Sequence, residues 1–199
     1  MTYVEEYLNG NYKLLIAHDE LAGSPREENC NQFGLGFVGK YSAYNDVVSE
    51  VEFDDFLREI KSENLLAFPV YCNEHGGVAF NLTGFYNYPW DSYFVEHSCL
   101  RLGQIGFMYT GKWNIYNEYD VMRISPKLKE KLRKNAEAEL QELEDYVNGR
   151  TYLYELYKDE EEIGSCSGFL GDEHDKNGLF EHVLEWRDIQ FSTEHMVYG

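Results

Sequence analysis

The sequence lacks paired cysteines, long apolar runs and low-complexity segments, and each absence argues against a class of protein. No C-x-x-C pair occurs, so neither a zinc site nor a disulfide framework is indicated. No run reaches the roughly 18 apolar residues of a transmembrane helix, and the N-terminus carries acidic residues where a signal peptide needs basic ones. We therefore expect a cytosolic protein with reduced, mostly buried thiols at Cys30, Cys72, Cys99 and Cys166.

The residues that are present are those of a folded protein. Hydrophobic residues make up 43% of the chain and aromatic residues 16%. A chain of 199 residues is long enough to bury a core and fits one domain. Because no internal repeat is found, we predict a single α+β domain over residues 1–199.

Positive charge is scarce and concentrated in one place. The chain has 17 Lys and Arg against 36 Asp and Glu, a net charge of -19. Residues 123–134 have six basic side chains and one acidic one (+5), whereas residues 1–122, 135–149 and 150–199 carry -11, -5 and -8. Such a surface repels phosphate backbones over a Debye length of about 8 Å and attracts basic protein surfaces. We expect no direct nucleic-acid binding.

Apolar periodicity predicts an antiparallel sheet with two helices packed on it. Pro69 places its strand at a sheet edge, or lies at the start of that strand. The segment after residue 158 is expected to be a glycine-rich acidic loop followed by a short amphipathic stretch. Strands are predicted at 11–20, 65–72, 76–83, 103–111 and 150–158, with a hairpin joining the second and third.

A long capped helix is the strongest local prediction. It runs from about Pro126 to Asn148, with Ser125 as N-cap and Gly149 after the last turn. Basic residues fill its first half and acidic residues its second half, opposite to what the helix dipole favours. A shorter helix is predicted over about 50–62. The apolar stripe of the long helix is Leu128, Leu132, Ala136, Leu140, Leu143 and Val147.

Three short motifs each have a functional and a structural interpretation. GLGFVGK (34–40) matches a dinucleotide-binding pattern, but its polar flanks favour a loop or a glycine-rich strand. GSCSG (164–168) resembles a nucleophile elbow, but the preceding acids would raise the thiol pKa, which favours a structural Cys166. EHDKNG (173–178) resembles a calcium loop, but Leu184 stands where a Glu is needed. No catalytic residue, metal or cofactor is predicted from these motifs.

The segment GFYNYPWDS (84–92) places Asp91 and Ser92 beside aromatic residues. A turn in which both side chains bind their own backbone is favoured over a reactive pair. The alternative is an enzyme or small-ligand binder, in which Arg26, Glu27 and His75 join Asp91 and Ser92 in one cleft. That alternative predicts that these side chains lie within about 3 Å of one another in a concave pocket.

Four elements together resemble an uncharacterised protein family that is carried by bacteriophages and mobile elements. The resemblance covers about residues 12–186. This chain departs from the family pattern by an insertion at 93–102, by Gly76 in place of Ser and by Gly164 in place of Asp. The matching elements are Ser24, Pro25, Arg26 and Glu27; His75 and Gly77; Pro89 to Ser92; and Ser165, Cys166, Gly168, Phe169 and Gly171.

The resemblance implies a biological setting and no reaction. Small acidic phage proteins often inhibit host defence nucleases, and some mimic DNA by presenting carboxylates at phosphate-like spacing. One hypothesis is therefore an anti-CRISPR or other anti-defence protein that is not an enzyme. The remaining option is an acidic accessory protein with another partner. For the anti-defence protein, the acids that bind the partner are predicted to be Asp159, Glu160, Glu161, Glu162, Asp172, Glu173 and Asp175.

Overall fold

The computed structural model divides the chain into two compact units, each with a four-stranded antiparallel sheet. Unit 1 comprises Met1–Glu28 and Asp145–Gly199, and unit 2 comprises Asn29–Glu144. The predicted α+β class is confirmed, with two sheets where the sequence predicted one. The single-domain assignment stays a prediction. The structure describes residues 2–28, 30–46, 50–62, 64–74, 76–84 and 103–187.

The helices and strands follow one another in an order that mixes local hairpins with long connections. In chain order they are β1 (Tyr3–Asn9), β2 (Tyr12–His18), α1 (Pro25–Glu28), β3 (Gly34–Phe37), α2 (Glu50–Lys61), β4 (Leu65–Asn73), β5 (Ala79–Asn81), β6 (Gln104–Gly111), α3 (Lys112–Glu118), α4 (Pro126–Val147), β7 (Thr151–Lys158), β8 (Glu161–Leu170) and α5 (Leu179–Arg187), with a 3-10 helix at Gly39–Tyr44.

Unit 1 is built from two hairpins whose inner strands pair with each other. Its strand order is β1-β2-β7-β8, and α5 packs on one face of the sheet. Alternation along β2 and β7 sends every second side chain to that face, as the strand period requires. The core there consists of Tyr7, Leu14, Ile16, Tyr152, Tyr154, Leu156, Leu179 and Val183.

The predicted acidic loop after residue 158 is wrong over 161–170, which form β8. Ile163, Cys166 and Phe169 pack against the core of unit 1, three residues apart. Two register shifts between β7 and β8 produce this spacing, because each bulge adds a residue to one strand. The period of two that identifies a strand is therefore absent from the sequence of β8.

Unit 2 has the strand order β3-β6-β4-β5, which confirms the predicted hairpin and its neighbouring third strand. Gly34 and Gly36 of GLGFVGK lie in strand β3 at the edge of this sheet, whereas Gly39 begins the 3-10 helix with φ of 71°. A Cβ on Gly34 would lie 2.7 Å from the Tyr109 ring, and one on Gly106 of β6 would lie 2.0 Å from the Gly36 carbonyl oxygen. Close packing therefore accounts for Gly34 and Gly106 but not for Gly39, around which a Cβ would meet nothing within 4 Å; the strand interpretation of the motif is confirmed for residues 34–37.

Pro69 lies in a strand that the sheet order places between two others. Strand β4 pairs with β5 only from Tyr71 to Asn73, whereas Pro69 pairs with Phe107 of β6. Within the described residues, β4 thus has a single strand neighbour at Pro69. Because Pro69 has no N–H, it could not donate a hydrogen bond on the side away from β6, and no described strand pairs with it there. The edge prediction is wrong for the strand as a whole and holds for this part of it.

Helix α4 begins and ends where its capping residues predict. The Leu128 N–H donates to Ser125 Oγ at 3.2 Å, and Gly149 follows the helix with φ of 71°. Leu132, Ala136, Leu140 and Leu143 are buried, whereas Leu128 and Val147 are half-buried. The shorter predicted helix is present as α2.

Candidate functional site

The seven predicted partner-binding acids lie in unit 1, and all of them are exposed. They form two groups at opposite ends of β8. The hairpin acids (Asp159, Glu160, Glu161 and Glu162) occupy the β7–β8 turn and the start of β8, and the loop acids (Asp172, Glu173 and Asp175) follow its last residue. Since β8 has 10 residues at about 3.3 Å each, the groups lie up to roughly 30 Å apart.

The hairpin acids sit on a two-residue turn with an unusual backbone. Asp159 and Glu160 have φ of 50° and 69°, as both central residues of a type I′ turn require. The Asp159 N–H donates to the Asn11 carbonyl oxygen at 2.9 Å, and the Asn11 side-chain amide donates to Asp159 Oδ2 at 2.9 Å. The turn is thereby tied to the neighbouring β1–β2 turn, which fixes its position on unit 1.

The remaining hairpin acids present their charge to solvent. The side chains of Glu160, Glu161 and Glu162 make no hydrogen bond or ion pair with any described residue. A cationic group on a partner could therefore approach them without first displacing an internal cation. This is the property that a charged docking surface needs.

The loop acids make more contacts with other side chains of unit 1 than Glu160, Glu161 and Glu162 do. Tyr152 Oη donates to Asp172 Oδ1 at 2.6 Å, and burial together with this bond raises the Tyr152 pKa. Glu173 forms an ion pair with Lys176, which raises the pKa of the lysine. Two of the three loop acids therefore have intramolecular partners, which makes the hairpin acids the freer of the two groups.

A histidine in this loop is buried and neutral. The Asn177 side-chain amide donates to His174 Nδ1 at 3.2 Å and to the Gly171 carbonyl oxygen at 2.8 Å, and its Oδ1 accepts from the Leu179 N–H at 3.0 Å. These bonds orient the amide, so Nδ1 of His174 acts as the acceptor and its proton resides on Nε2. His174 Nε2 lies 3.6 Å from Glu5 Oε1.

Burial lowers the pKa of His174, against the opposing effect of the nearby carboxylates of Glu5, Asp172 and Asp175. Below about pH 6.5 the unfolded chain binds more protons at this site than the folded one. The stability that the neutral imidazole contributes is thus present above that pH and is lost as the pH falls. The rings of Tyr152 and Phe180 pack edge-on against it, at centroid distances of 4.7 and 5.9 Å. We interpret His174 as an anchor of the loop.

Sequence reasoning did not find this cluster. Glu5 and His174 lie at opposite ends of the chain, and Tyr154 Oη, which is 2.9 Å from His182 Nδ1, is likewise distant from its partner in sequence. No spacing of residues along the sequence predicts contacts between side chains so far apart in the chain. Among the described residues, no group of three or more His, Cys, Asp or Glu side chains is arranged to hold a metal ion.

The alternative cleft is only partly within the described structure. Arg26 is half-buried and Glu27 is exposed on α1, where Ser24 Oγ accepts from the Arg26 N–H at 3.2 Å. Ser24 thereby caps the start of α1. His75, Asp91 and Ser92 lie outside the described residues, as does most of GFYNYPWDS, so their convergence with Arg26 and Glu27 stays a prediction.

The expectation of mostly buried thiols is wrong for the described cysteines. Cys30 is exposed, whereas Cys72 and Cys166 are half-buried. Strand β8 leaves Cys166 at the sheet edge, and Cys72 lies near the end of β4, with Sγ 3.6 Å from Tyr41 Oη. Burial raises the Cys72 pKa, so this thiol is not activated as a nucleophile.

None of the helices in the described part of the chain is both long and apolar enough to cross a membrane. Comparisons of this chain with models of protein families, with curated proteins and with solved structures found no match.

Proposed function

We propose that this chain is an acidic, phage-encoded inhibitor of a host defence nuclease, with a CRISPR effector as the first candidate partner. In this proposal it acts in the host cytosol, without turnover, by occupying a basic nucleic-acid channel of the effector. The observation that carries the proposal is the exposed and unpaired state of Glu160, Glu161 and Glu162 on a fixed hairpin.

The composition of the hairpin turn supports a role beyond folding. A type I′ turn is formed most easily by Asn-Gly, because an L residue in the left-handed region costs roughly 1–2 kcal/mol relative to Gly. Here Asp159 and Glu160 occupy those positions, and two more glutamates follow at once. Adjacent like charges add repulsion to the backbone strain. Such an arrangement is expected where the charge serves a partner.

The separation of the two acidic groups supports mimicry of DNA. A separation of up to roughly 30 Å between the hairpin acids and the loop acids corresponds to at most about nine base steps of 3.4 Å. A channel that holds a duplex presents cations over such a length. Both groups could therefore engage one channel, with the hairpin acids making the contacts that are not already used within unit 1.

The proposal is tested by neutralising the hairpin acids and measuring binding to a panel of purified CRISPR effectors. The test variant is Glu160→Gln/Glu161→Gln/Glu162→Gln. We expect its affinity for a bound effector to fall at least about tenfold at low salt, with a smaller difference at high salt because exposed charges are screened. Binding should also compete with duplex DNA.

A matched control separates a local surface from the effect of total charge. Glu20→Gln/Glu59→Gln/Asp120→Asn removes the same number of exposed acids from three scattered positions. It should bind within about twofold of the unmodified chain, since net charge changes the encounter rate more than the affinity. Equal losses in both variants would refute the hairpin as the docking surface, and absence of binding to every effector would refute the inhibitor function.

A further inference from the structure

Among the described residues of unit 2, two large apolar side chains that precede the basic segment at 123–134 are highly exposed. Trp113 of α3 is 72% exposed, and Met122, in the connection from α3 to α4, is 98% exposed. Tryptophan is on average highly buried in folded proteins. An indole held in solvent therefore suggests a surface that is covered by something else.

The exposed cations of this segment make no close ion pair with any described acid, although Lys134 contributes, after Arg133, to the lowered pKa of Glu130. Arg123, Lys127, Lys131 and Lys134 make no ion pair within the described part of the chain, although acids outnumber bases two to one overall. Arg133 behaves differently, since it pairs with Glu130 and Glu137. Close ion pairing among the described residues of this segment is thus found at Arg133 and not at these four cations.

Three of the cations form a line on α4. Lys127, Lys131 and Lys134 follow at i, i+4 and i+7, so they share one face, opposite to the buried stripe that contains Leu132 and Ala136. They rise along the axis by about 6 and 4.5 Å. This line lies in the first half of the helix, where the dipole disfavours positive charge, so helix stability does not explain it.

Helix α3 adjoins this line. Lys131 Nζ lies 4.8 Å from the centroid of the Tyr119 ring, and Tyr119 follows the last residue of α3. Trp113 precedes Tyr119 by six residues, which is about 9 Å along a helix axis. We call Trp113, Arg123, Lys127, Lys131 and Lys134 the cationic patch.

We propose that the cationic patch binds single-stranded nucleic acid, with phosphates along the line of lysines and a base stacked on the Trp113 indole. This is the combination of backbone cations and aromatic platforms on which binding to single strands depends. The net charge of -19 repels nucleic acid as a whole, and the patch is the local exception with charge of the opposite sign. The inference goes beyond the inhibitory function and does not depend on it.

Other polyanions fit the patch less well. A membrane-surface helix needs a broad apolar face, but the apolar stripe of α4 is buried in the core and leaves Trp113 and Met122 as the exposed apolar contacts. Duplex DNA keeps its bases stacked on one another and offers the indole no free face. An acidic peptide would satisfy the lysines and leave the flat indole unmatched.

The test measures the anisotropy of a labelled oligothymidylate over a range of salt concentrations. With four phosphate contacts, one to each of Arg123, Lys127, Lys131 and Lys134, we expect the logarithm of the binding constant to fall against the logarithm of the salt concentration with a slope of about -2.8, or -0.7 per contact. Lys127→Ala should bring the slope to about -2.1. The matched variant Lys61→Ala, which removes an exposed lysine from α2, should leave it unchanged.

The role of Trp113 is tested by two substitutions at an exposed position where folding is not at risk. Trp113→Ala should weaken binding on the order of tenfold with no change in slope, and Trp113→Phe should restore part of the loss, because stacking needs an aromatic face. No binding at low salt would overturn the proposal. So would equal binding of duplex DNA, of anionic phospholipid vesicles or of polyglutamate, or an unchanged affinity in Trp113→Ala.

Discussion

The hairpin turn between β7 and β8 allows a direct test of why it is acidic. We predict that Asp159→Asn/Glu160→Gly stabilises the folded chain. Glu160 has φ of 69°, and an L residue there costs roughly 1–2 kcal/mol relative to Gly. The added flexibility of Gly in the unfolded chain offsets about 0.5–1 kcal/mol of this gain. Asn tolerates the left-handed region better than most residues, so Asp159→Asn adds a few tenths of a kcal/mol.

The expected net effect is an increase of about 1 kcal/mol in the free energy of unfolding. For a chain of this length it corresponds to about 2–4 °C in Tm. Urea unfolding followed by circular dichroism would measure it. The same variant should bind an effector more weakly, because one carboxylate at the turn is removed and another becomes an amide.

The other hairpin of unit 1 supplies the control. Gly10 has φ of 60°, and a Cβ added there would meet nothing within 4 Å. Gly10→Ala therefore isolates the backbone conformation and should destabilise the chain by about 1 kcal/mol. If Asp159→Asn/Glu160→Gly destabilised the chain while Gly10→Ala behaved as expected, the turn acids would have a structural role, and the inference that they serve a partner would fail.

Three further predictions concern the two units. Gly106→Ala should destabilise unit 2 by about 3 kcal/mol or more in denaturant unfolding, since its Cβ would lie 2.0 Å from the Gly36 carbonyl oxygen. Glu139→Ala should cost about 2 kcal/mol in the same assay, because Glu139 accepts the backbone N–H groups of Gln32 and Phe33 at 2.8 and 3.2 Å; an unchanged midpoint would contradict this. His174→Gln should reduce the loss of stability as the pH falls below about 6.5, by up to about 1.4 kcal/mol per pH unit; identical pH profiles would show that His174 is not buried in its neutral form.

Local signals predicted those parts of the fold that depend on neighbouring residues. The cap at Ser125 and the apolar stripe of α4 are local patterns, and both are found where the sequence places them. The hairpin from β4 to β5 also follows from two adjacent apolar runs. Strand β8 does not, because its bulges depend on its register with β7 and replace the period of two. The pairing of Glu5 with His174 depends on tertiary structure alone, and no spacing encodes it.

The acidic residues of the candidate site are evident from the sequence, whereas the backbone conformation that presents them is not. A run of four acids is readily interpreted as a solvated loop, since neither Asp-Glu nor Glu-Glu is among the dipeptides that predict a tight turn. The structure nevertheless places Asp159 and Glu160 at the two central positions of a hairpin turn, where Asn-Gly would be favoured. Local propensity and observed conformation thus disagree at Glu160, whose side chain makes no hydrogen bond or ion pair with any described residue, and at Asp159, whose carboxylate accepts a hydrogen bond from the Asn11 amide. Disagreement of this kind is expected at functional or strained sites. That the sequence predicts an acidic loop here, and not a tight turn, is therefore itself an argument that these acids serve a binding function.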